Sequence, residues 1–297
     1  RLVHAEGDGL PGLIVDIYDK TAVLQCHSIG MHFEREKISK ALLEIYDNHL
    51  EAIYDKSQDT LPEQYAKNAI NNYLYSKDQH INLSTLQPVV SENGNSFFID
   101  WESGQKTGFF LDQRDNRQLL THYINNKIVL NTFCYTGGFS VYALNAGASH
   151  VESVDVSQKA IELTNKNVAL NGNSERHHSY KEDVIKFLQQ AEKKYDVMIV
   201  DPPAFAKNIA KRHNAVQGYK RLNALALKKV KSGGILFTFS CSQVVDRQLF
   251  YDTIVAAAIE AGRQVRVMHH LNQPADHPVR LFHPEGAYLK GLVLFVE

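Results

Sequence analysis

The sequence predicts an α/β protein, a mostly parallel doubly wound sheet with an antiparallel edge, preceded by a smaller α+β domain. Three observations carry this. From Gln113 onward, helical segments alternate with short apolar strands, as in successive βαβ units. Two of those strands, Asp196-Val-Met-Ile-Val200 and Gly234-Ile-Leu-Phe-Thr-Phe239, are apolar on both faces, as strands covered on both sides by helices must be. The final two strands, Gln264 to Met268 and Gly291 to Val296, leave no room for a full crossover helix, so they pair antiparallel.

In chain order, Leu13 to Tyr18 and Thr21 to Cys26 form a hairpin around Asp19-Lys20. His32 to Tyr46 has helical spacing, with Ile38, Leu42, Leu43 and Tyr46 on one face. Glu51 to Tyr54 is a further strand, and the polar stretch Gln58 to Asn82 is a loop or linker. Pro88 to Asp100 folds back around Glu92-Asn-Gly-Asn95. The alternating region then runs through a helix at Asn116 to Tyr123 and a strand at Ile128 to Phe133. A helix at Phe139 to Ala146 and a strand at Val151 to Asp155 follow, then helices at Gln158 to Leu170, Val184 to Ala191, Tyr219 to Val230 and Arg247 to Ala261. The expected boundaries are an α+β domain over 1–84, a connecting hairpin and linker over 85–112, and the α/β domain over 113–297.

Composition narrows the class. With 44% hydrophobic and 22% charged residues, a disordered tail, a collagen-like fibre and a coiled-coil rod are excluded. No run approaches the roughly 18 apolar residues of a membrane helix, so a soluble protein is expected. The chain begins at Arg1 inside a patterned segment, which suggests a longer parent protein. A net charge of -1 names no partner, so a nucleic-acid ligand needs a local basic surface. Cys26, Cys134 and Cys241 lie far apart without a CxxC, which fits a reducing cytoplasm better than a disulfide framework or a zinc site. His269, His270, His277 and His283 lack tight ligand spacing, and no metal is expected.

In doubly wound sheets ligands sit beyond the carboxyl ends of the strands, so those ends carry the chemistry. The first runs into Cys134-Tyr-Thr-Gly-Gly-Phe139, where glycines admit a ligand close to the backbone. The loop is not GxGxxG, which argues against NAD and FAD. Asp155 ends the second strand, where an acid accepts the ribose hydroxyls of a nucleoside cofactor or caps the next helix. Asp183, at the following strand end, meets an adenine amino group or caps its own helix. Asp201-Pro-Pro203 ends the fourth strand in a stiff extended turn that pins Asp201 at the sheet edge. Thr238-Phe-Ser-Cys241-Ser242 ends the fifth and projects Cys241 toward the same crevice, as a nucleophile or as a buried thiol.

Gly137-Gly138, Asp155, Asp183 and Asp201-Pro-Pro203 together resemble a class I S-adenosylmethionine methyltransferase with its Rossmann-like fold. Longer runs resemble the RlmI family: Glu6 to Gly12, Lys106 to Arg117, Tyr135 to Phe139, Thr238 to Ser242, Ala275 to Pro278 and Pro284 to Gly291. The similarity spans essentially the whole chain. That family methylates carbon 5 of a cytosine in bacterial 23S ribosomal RNA. Its members carry an N-terminal PUA domain ahead of a central α+β domain, and this sequence starts at the central, RNA-facing one.

The resemblance implies covalent activation, in which a Cys241 thiolate adds to carbon 6 and makes carbon 5 nucleophilic. Asp201 then hydrogen-bonds the cytosine and stabilises the developing charge. The base leaves its stack, and Pro202, Pro203 and Phe205 form its pocket, with Phe205 either stacking on it or packing internally. Ala204 stands where better-known cytosine-5 RNA enzymes have a second Cys, which leaves removal of the carbon 5 proton unassigned. For S-adenosylmethionine, the resemblance assigns the methionine end to Tyr135, Thr136, Gly137 and Gly138, ribose to Asp155 and adenine to Asp183. Asp201, Gln113 and Arg114 close the site. The alternative for Arg114 is a surface ion pair with Asp115.

One acid-free segment follows the Asp-Pro-Pro loop. Lys207, Lys211, Arg212, Lys220 and Arg221 are expected to meet RNA phosphates, whereas Lys228, Lys229 and Lys231 suit a solvated helix face. Two rivals stay open at this point, an exocyclic-amine RNA methyltransferase that needs no cysteine and a non-catalytic RNA-binding assembly factor.

Overall fold

The computed structural model describes residues 1–47, 49–77, 88–192, 194–206 and 208–297. The chain divides into two compact units. One comprises Arg1–Val90, Phe98–Asp112 and Pro274–Gly286, the other Ser91–Phe97, Gln113–Gln273 and Ala287–Glu297. The linear boundaries expected from sequence miss two exchanges: residues 274–286 belong to the first unit and 91–97 to the second.

The first unit is built on a five-stranded sheet in the order β1-β2-β3-β4-β5: Val3–His4, Leu13–Tyr18, Thr21–Cys26, Ala52–Asp55 and Asn72–Ser76. The hairpin of β2 and β3 is the one expected, and Asp19 takes the left-handed conformation (φ 52°) that its tight turn needs. The long expected helix is broken into α1 (Ile29–Phe33) and α2 (Arg35–Ile45), and Ser28 caps α1 by accepting from Met31 N at 3.2 Å. The expected loop at 58–82 holds α3 (Glu63–Ala66) and strand β5, with residues 78–87 outside the described range. Among the described residues β5 pairs only with β4 and stays half exposed, so its sequence lacks the apolar alternation of an inner strand. Leu13, Val15, Leu24, Leu42 and Ile53 form this unit's core. The expected hairpin at 88–100 is present as β6 (Val89–Glu92) and β7 (Asn95–Phe98).

The second unit is a seven-stranded sheet. Its strands are β8 (Ile128–Thr132), β9 (His150–Asp155), β10 (His177–Lys181), β11 (Tyr195–Val200), β12 (Val230–Ser240), β13 (Val265–Leu271) and β14 (Lys290–Val296). The order is β10-β9-β8-β11-β12-β14-β13, parallel except for β14, which runs antiparallel between β12 and β13. The antiparallel edge is thus where the sequence predicts it. The helices are α4 (Arg114–Leu120), α5 (Gly138–Asn145), α6 (Gln158–Leu170), α7 (Val184–Gln190), α8 (Arg212–Lys229) and α9 (Arg247–Ala261).

α8 starts at Arg212, well before the expected Tyr219; its first turn, Arg212 to Asn214, is polar and exposed, and only Ala215 and Val216 pack on the core before Tyr219. Gly218 lies inside it for a packing reason, since a Cβ there would meet the Phe205 ring at 3.0 Å. Leu130, Met198, Val200, Leu222, Leu236 and Leu294 lie at the centre of the core. The strand order reverses between β8 and β11, which makes their carboxyl ends the switch point. Among the described residues no helix is long and apolar enough to cross a membrane.

Candidate active site

β8 ends in a backbone that few sequences tolerate. Phe133 (φ 56°), Tyr135 (φ 48°) and Gly137 (φ 74°) are all left-handed, and two of the three have side chains. α6 braces this loop from behind, as Thr164 Oγ1 donates to Tyr135 O at 3.0 Å and Asn167 Nδ2 donates to Thr136 O at 2.8 Å. Gly137 is required twice over, because a Cβ would also lie 2.8 Å from Thr164 Cγ2. Behind Gly138 lies Arg117, buried and paired with Glu92 through two 2.8 Å bonds, while Tyr142 donates to the same carboxylate at 2.9 Å. The loop is therefore held rigid from both sides before any ligand arrives.

Asp155 accepts from Tyr135 N (3.1 Å) and from Ser157 N (2.9 Å), which fixes the carboxylate against the loop. The N-cap of α6 is Ser157, so Asp155 is released from that duty and each oxygen keeps a lone pair for a ribose hydroxyl. Asp183 does cap α7, accepting from Lys186 N at 3.0 Å. Its side chain is exposed and retains an acceptor oxygen. A strained loop that only glycine can close, with an acid clamped one strand away, fits an adenosyl cofactor with a short methionine-sized tail.

At the end of β11, Asp201 accepts from Gln113 Nε2 at 2.9 Å, and Asn116 Nδ2 in turn donates to Gln113 Oε1 at 2.7 Å. Gln113 thus joins Asp201 at the carboxyl end of β11, and Arg114 pairs with the neighbouring Asp115 at 3.1 Å. Pro202 is buried and Pro203 exposed. Phe205 lies against Tyr219 (ring centroids 4.6 Å) and against Gly218 of α8, so the packing alternative describes its place in the fold.

Cys241 follows directly on β12 and is half-buried, whereas Cys26 and Cys134 are buried. Burial pushes the Cys26 thiol up to about 11 and the Cys134 thiol up to about 12, so neither is a nucleophile at neutral pH. Ser242 ties the cysteine loop to the Asp-Pro-Pro loop by donating to Ala206 O at 2.7 Å. The phenol of Tyr219 is buried, and burial is the main cause that pushes its ionisation up. Lys290, at the start of β14, donates to Ser242 O at 2.7 Å.

Sequence reasoning passed over Ser242, Tyr219 and Lys290. The available signal was a lysine opening the apolar strand Lys290-Gly-Leu-Val-Leu-Phe-Val296, a costly place for a charge without a purpose.

The basic segment divides. Lys220 is paired with Glu260 of α9 at 2.9 Å on the surface. Arg212 borders a groove of about 480 Å³ that is also lined by Asp246 and Asp252. Lys211 and Arg221 are exposed, and Lys207 lies outside the described residues. Lys229 is anchored on Ala191 O and Lys231 on Asp196.

The histidines are individually engaged. His269 bonds Tyr123 (2.6 Å), His270 stacks on Tyr251, His277 pairs with Asp276 (2.9 Å) and His283 with Glu285 (3.5 Å). No group of three metal-ligating side chains occurs among the described residues.

The sequence pattern of the S-adenosylmethionine-dependent methyltransferases matches residues 63–294. The chain belongs to that family. Among relatives of this methyltransferase is the ribosomal RNA large subunit methyltransferase I of Shewanella amazonensis, 41% identical over 99% of this chain and 73% of the relative. That of Aeromonas hydrophila is 40% identical over 99% and 74%. These relatives place the methyltransferase in the ribosomal RNA large subunit methyltransferase I family, as its motifs indicate, and they are longer than this chain. Solved structures agree on the fold. A Streptococcus mutans protein described as a SAM-dependent methyltransferase superposes with TM-score 0.83 at 23% identity, covering 98% of this chain and 73% of that one. Trm5b from Pyrococcus abyssi gives 0.68 at 16% identity, covering 96% and 75%. The cofactor of the methyltransferase is S-adenosylmethionine.

Proposed function

We propose that this methyltransferase acts on carbon 5 of a cytosine in ribosomal RNA, most simply that of the large subunit, through a covalent adduct on Cys241. The observation that carries the reading is the placement of Cys241 directly after β12, half-buried where Cys26 and Cys134 are buried, on a loop that Ser242 ties to the Asp-Pro-Pro loop by donating to Ala206 O at 2.7 Å. The names of the relatives supply the substrate class.

Tyr135, Thr136, Gly137 and Gly138 would hold the methionine end of the cofactor, Asp155 its ribose and Asp183 its adenine. When bound, S-adenosylmethionine supplies an electrophilic methyl group. The chain's own residues prepare the acceptor. Cys241 Sγ forms a bond to carbon 6, and the electron pair of the 5,6 double bond moves onto carbon 5 and the base. Asp201, held by Gln113, accepts a hydrogen bond from the cytosine amino group or the protonated ring nitrogen. Once carbon 5 carries its methyl group, its proton passes to water, the C–H electron pair re-forms the 5,6 double bond, and the Sγ–carbon 6 bond breaks with its electron pair on sulfur, which regenerates the thiolate. Pro202 and Pro203 shape the wall of the base pocket. Lys211 and Arg221 of the basic segment meet the backbone phosphates.

The test supplies labelled methyl donor and ribosomal RNA lacking the modification to the wild type and to Cys241→Ala. Methyl-5-cytosine from the wild type and none from the variant is the expected result. Transfer that survives the substitution moves the reaction to an exocyclic amine. No transfer by either protein, despite cofactor binding, supports the non-catalytic reading.

A further inference from the structure

The buried cation at the start of β14, Lys290, is unused by the mechanism above. β14 lies beside β12 in antiparallel register, with Ser240 directly opposite Lys290. The Lys290 side chain then reaches past the strand end, and Nζ donates to Ser242 O at 2.7 Å. Lys290 thus contacts the chain on both sides of Cys241, and it is only 4% exposed. A lysine hidden this deeply in an apolar sheet costs free energy unless another charge answers it.

Among the charges that act on it, Cys241 contributes most and favours the ammonium form. Arg247 and Asp246, flanking the start of α9, act in opposite senses. Burial is the largest influence of all and brings Lys290 down to about 8, close to the range of an ordinary thiol.

We propose that Lys290 is the positioning residue that sets the ionisation of Cys241, through a thiolate–ammonium pair under the end of β12. In the pairing step the Sγ–H bond breaks, its proton passes to the Nζ amine, and the electron pair remains on sulfur. No charge enters or leaves the pair. The ammonium also holds Ser242 O, and Ser242 Oγ holds Ala206 O, so one lysine orders both loops that frame the base pocket. This rests on Cys241 being the nucleophile.

The test needs neither RNA nor methyl donor. The rate at which iodoacetamide alkylates Cys241, read by peptide mass spectrometry, is followed against pH in the full chain. In the wild type the midpoint falls below the ordinary thiol value of about 8.5. In Lys290→Met it rises by about one unit or more, and alkylation at pH 7 slows about tenfold. Lys290→Arg retains most of the wild-type profile. A purely structural lysine would change the melting temperature without moving this midpoint.

A wild-type midpoint at or above the ordinary thiol value overturns the proposal without any variant, so a Lys290→Met protein that fails to fold does not leave it open. An unshifted midpoint in a folded Lys290→Met overturns it as well. Active Cys241→Ala would refute the covalent reading instead, and the two failures are read from different experiments.

Discussion

Gln113 Nε2 donates to Asp201 Oδ2 at 2.9 Å, and Asn116 holds Gln113 from the other side at 2.7 Å. A loop glutamine therefore fixes the rotamer of the acid at the end of β11 before substrate arrives. Gln113→Ala leaves the carboxylate in place but removes this hydrogen bond. The expected outcome is a loss of about tenfold in kcat with little change in KM for the cofactor, against about a hundredfold or more for Asp201→Asn. Single-turnover methyl transfer separates the two. Equal losses would show that Gln113 does more than orient Asp201.

The strained loop after β8 yields a second prediction. Gly137→Ala puts a Cβ at positive φ and 2.8 Å from Thr164 Cγ2. The strain costs about 1–3 kcal/mol and displaces the loop against α6. Calorimetry should show S-adenosylmethionine affinity falling by about an order of magnitude or more, with a lower melting temperature. Unchanged affinity would mean that the cofactor does not rest on this loop.

How much of this was legible beforehand follows from where each residue sits. Strands β8, β11, β12 and β14 were readable because burial on both faces forces continuous apolar runs, and the ends of β11 and β12 led directly to Asp201 and Cys241. β5 and β10 escaped a full reading because edge strands tolerate polar residues, as His177-His-Ser-Tyr-Lys181 shows. Partnerships were not legible at all. Nothing in the sequence reports that Lys220 meets Glu260, that Phe205 covers Tyr219, or that Lys290 reaches Ser242, because each contact joins segments set side by side only by the sheet.

Arg117 and Glu92 allow a third test. Both are buried, and the pair lies behind Gly138. Arg117→Ala leaves a buried carboxylate without its cation and should destabilise the fold by about 3–5 kcal/mol. Urea denaturation of the double variant Arg117→Met/Glu92→Leu should recover much of that loss. A single variant as stable as wild type would show that the site admits water.

The basic segment separates by partner. Lys211→Ala and Arg221→Ala should each weaken RNA binding and lower the slope of log affinity against log salt by about one. Lys220→Ala should leave the slope unchanged, since its ammonium is engaged by Glu260, and should cost at most about 1 kcal/mol of stability. A salt slope reduced by Lys220→Ala would restore that residue to the RNA surface.

Acid stability turns on buried neutral imidazoles. His177 ends a hydrogen-bonded chain that runs from Asn131 through Ser140 and Ser153, with Ser153 Oγ and His177 Nε2 2.7 Å apart. Burial, helped by the nearby His150 and His178, lowers His177 to about 4. In the unfolded chain an imidazole titrates near 6.5, so between these values the unfolded state binds a proton that the folded state refuses. Stability therefore falls as pH drops from about 6.5 to about 4 and levels off below, as far as this group is concerned. His177→Gln keeps a partner for Ser153 but cannot take up the proton, so its melting temperature should decline less steeply through the window. His4, also lowered to about 4 by burial, continues to titrate in the variant, so the slope is reduced and not abolished. Parallel melting curves for the two proteins across the window would show that His177 is protonated in the folded state.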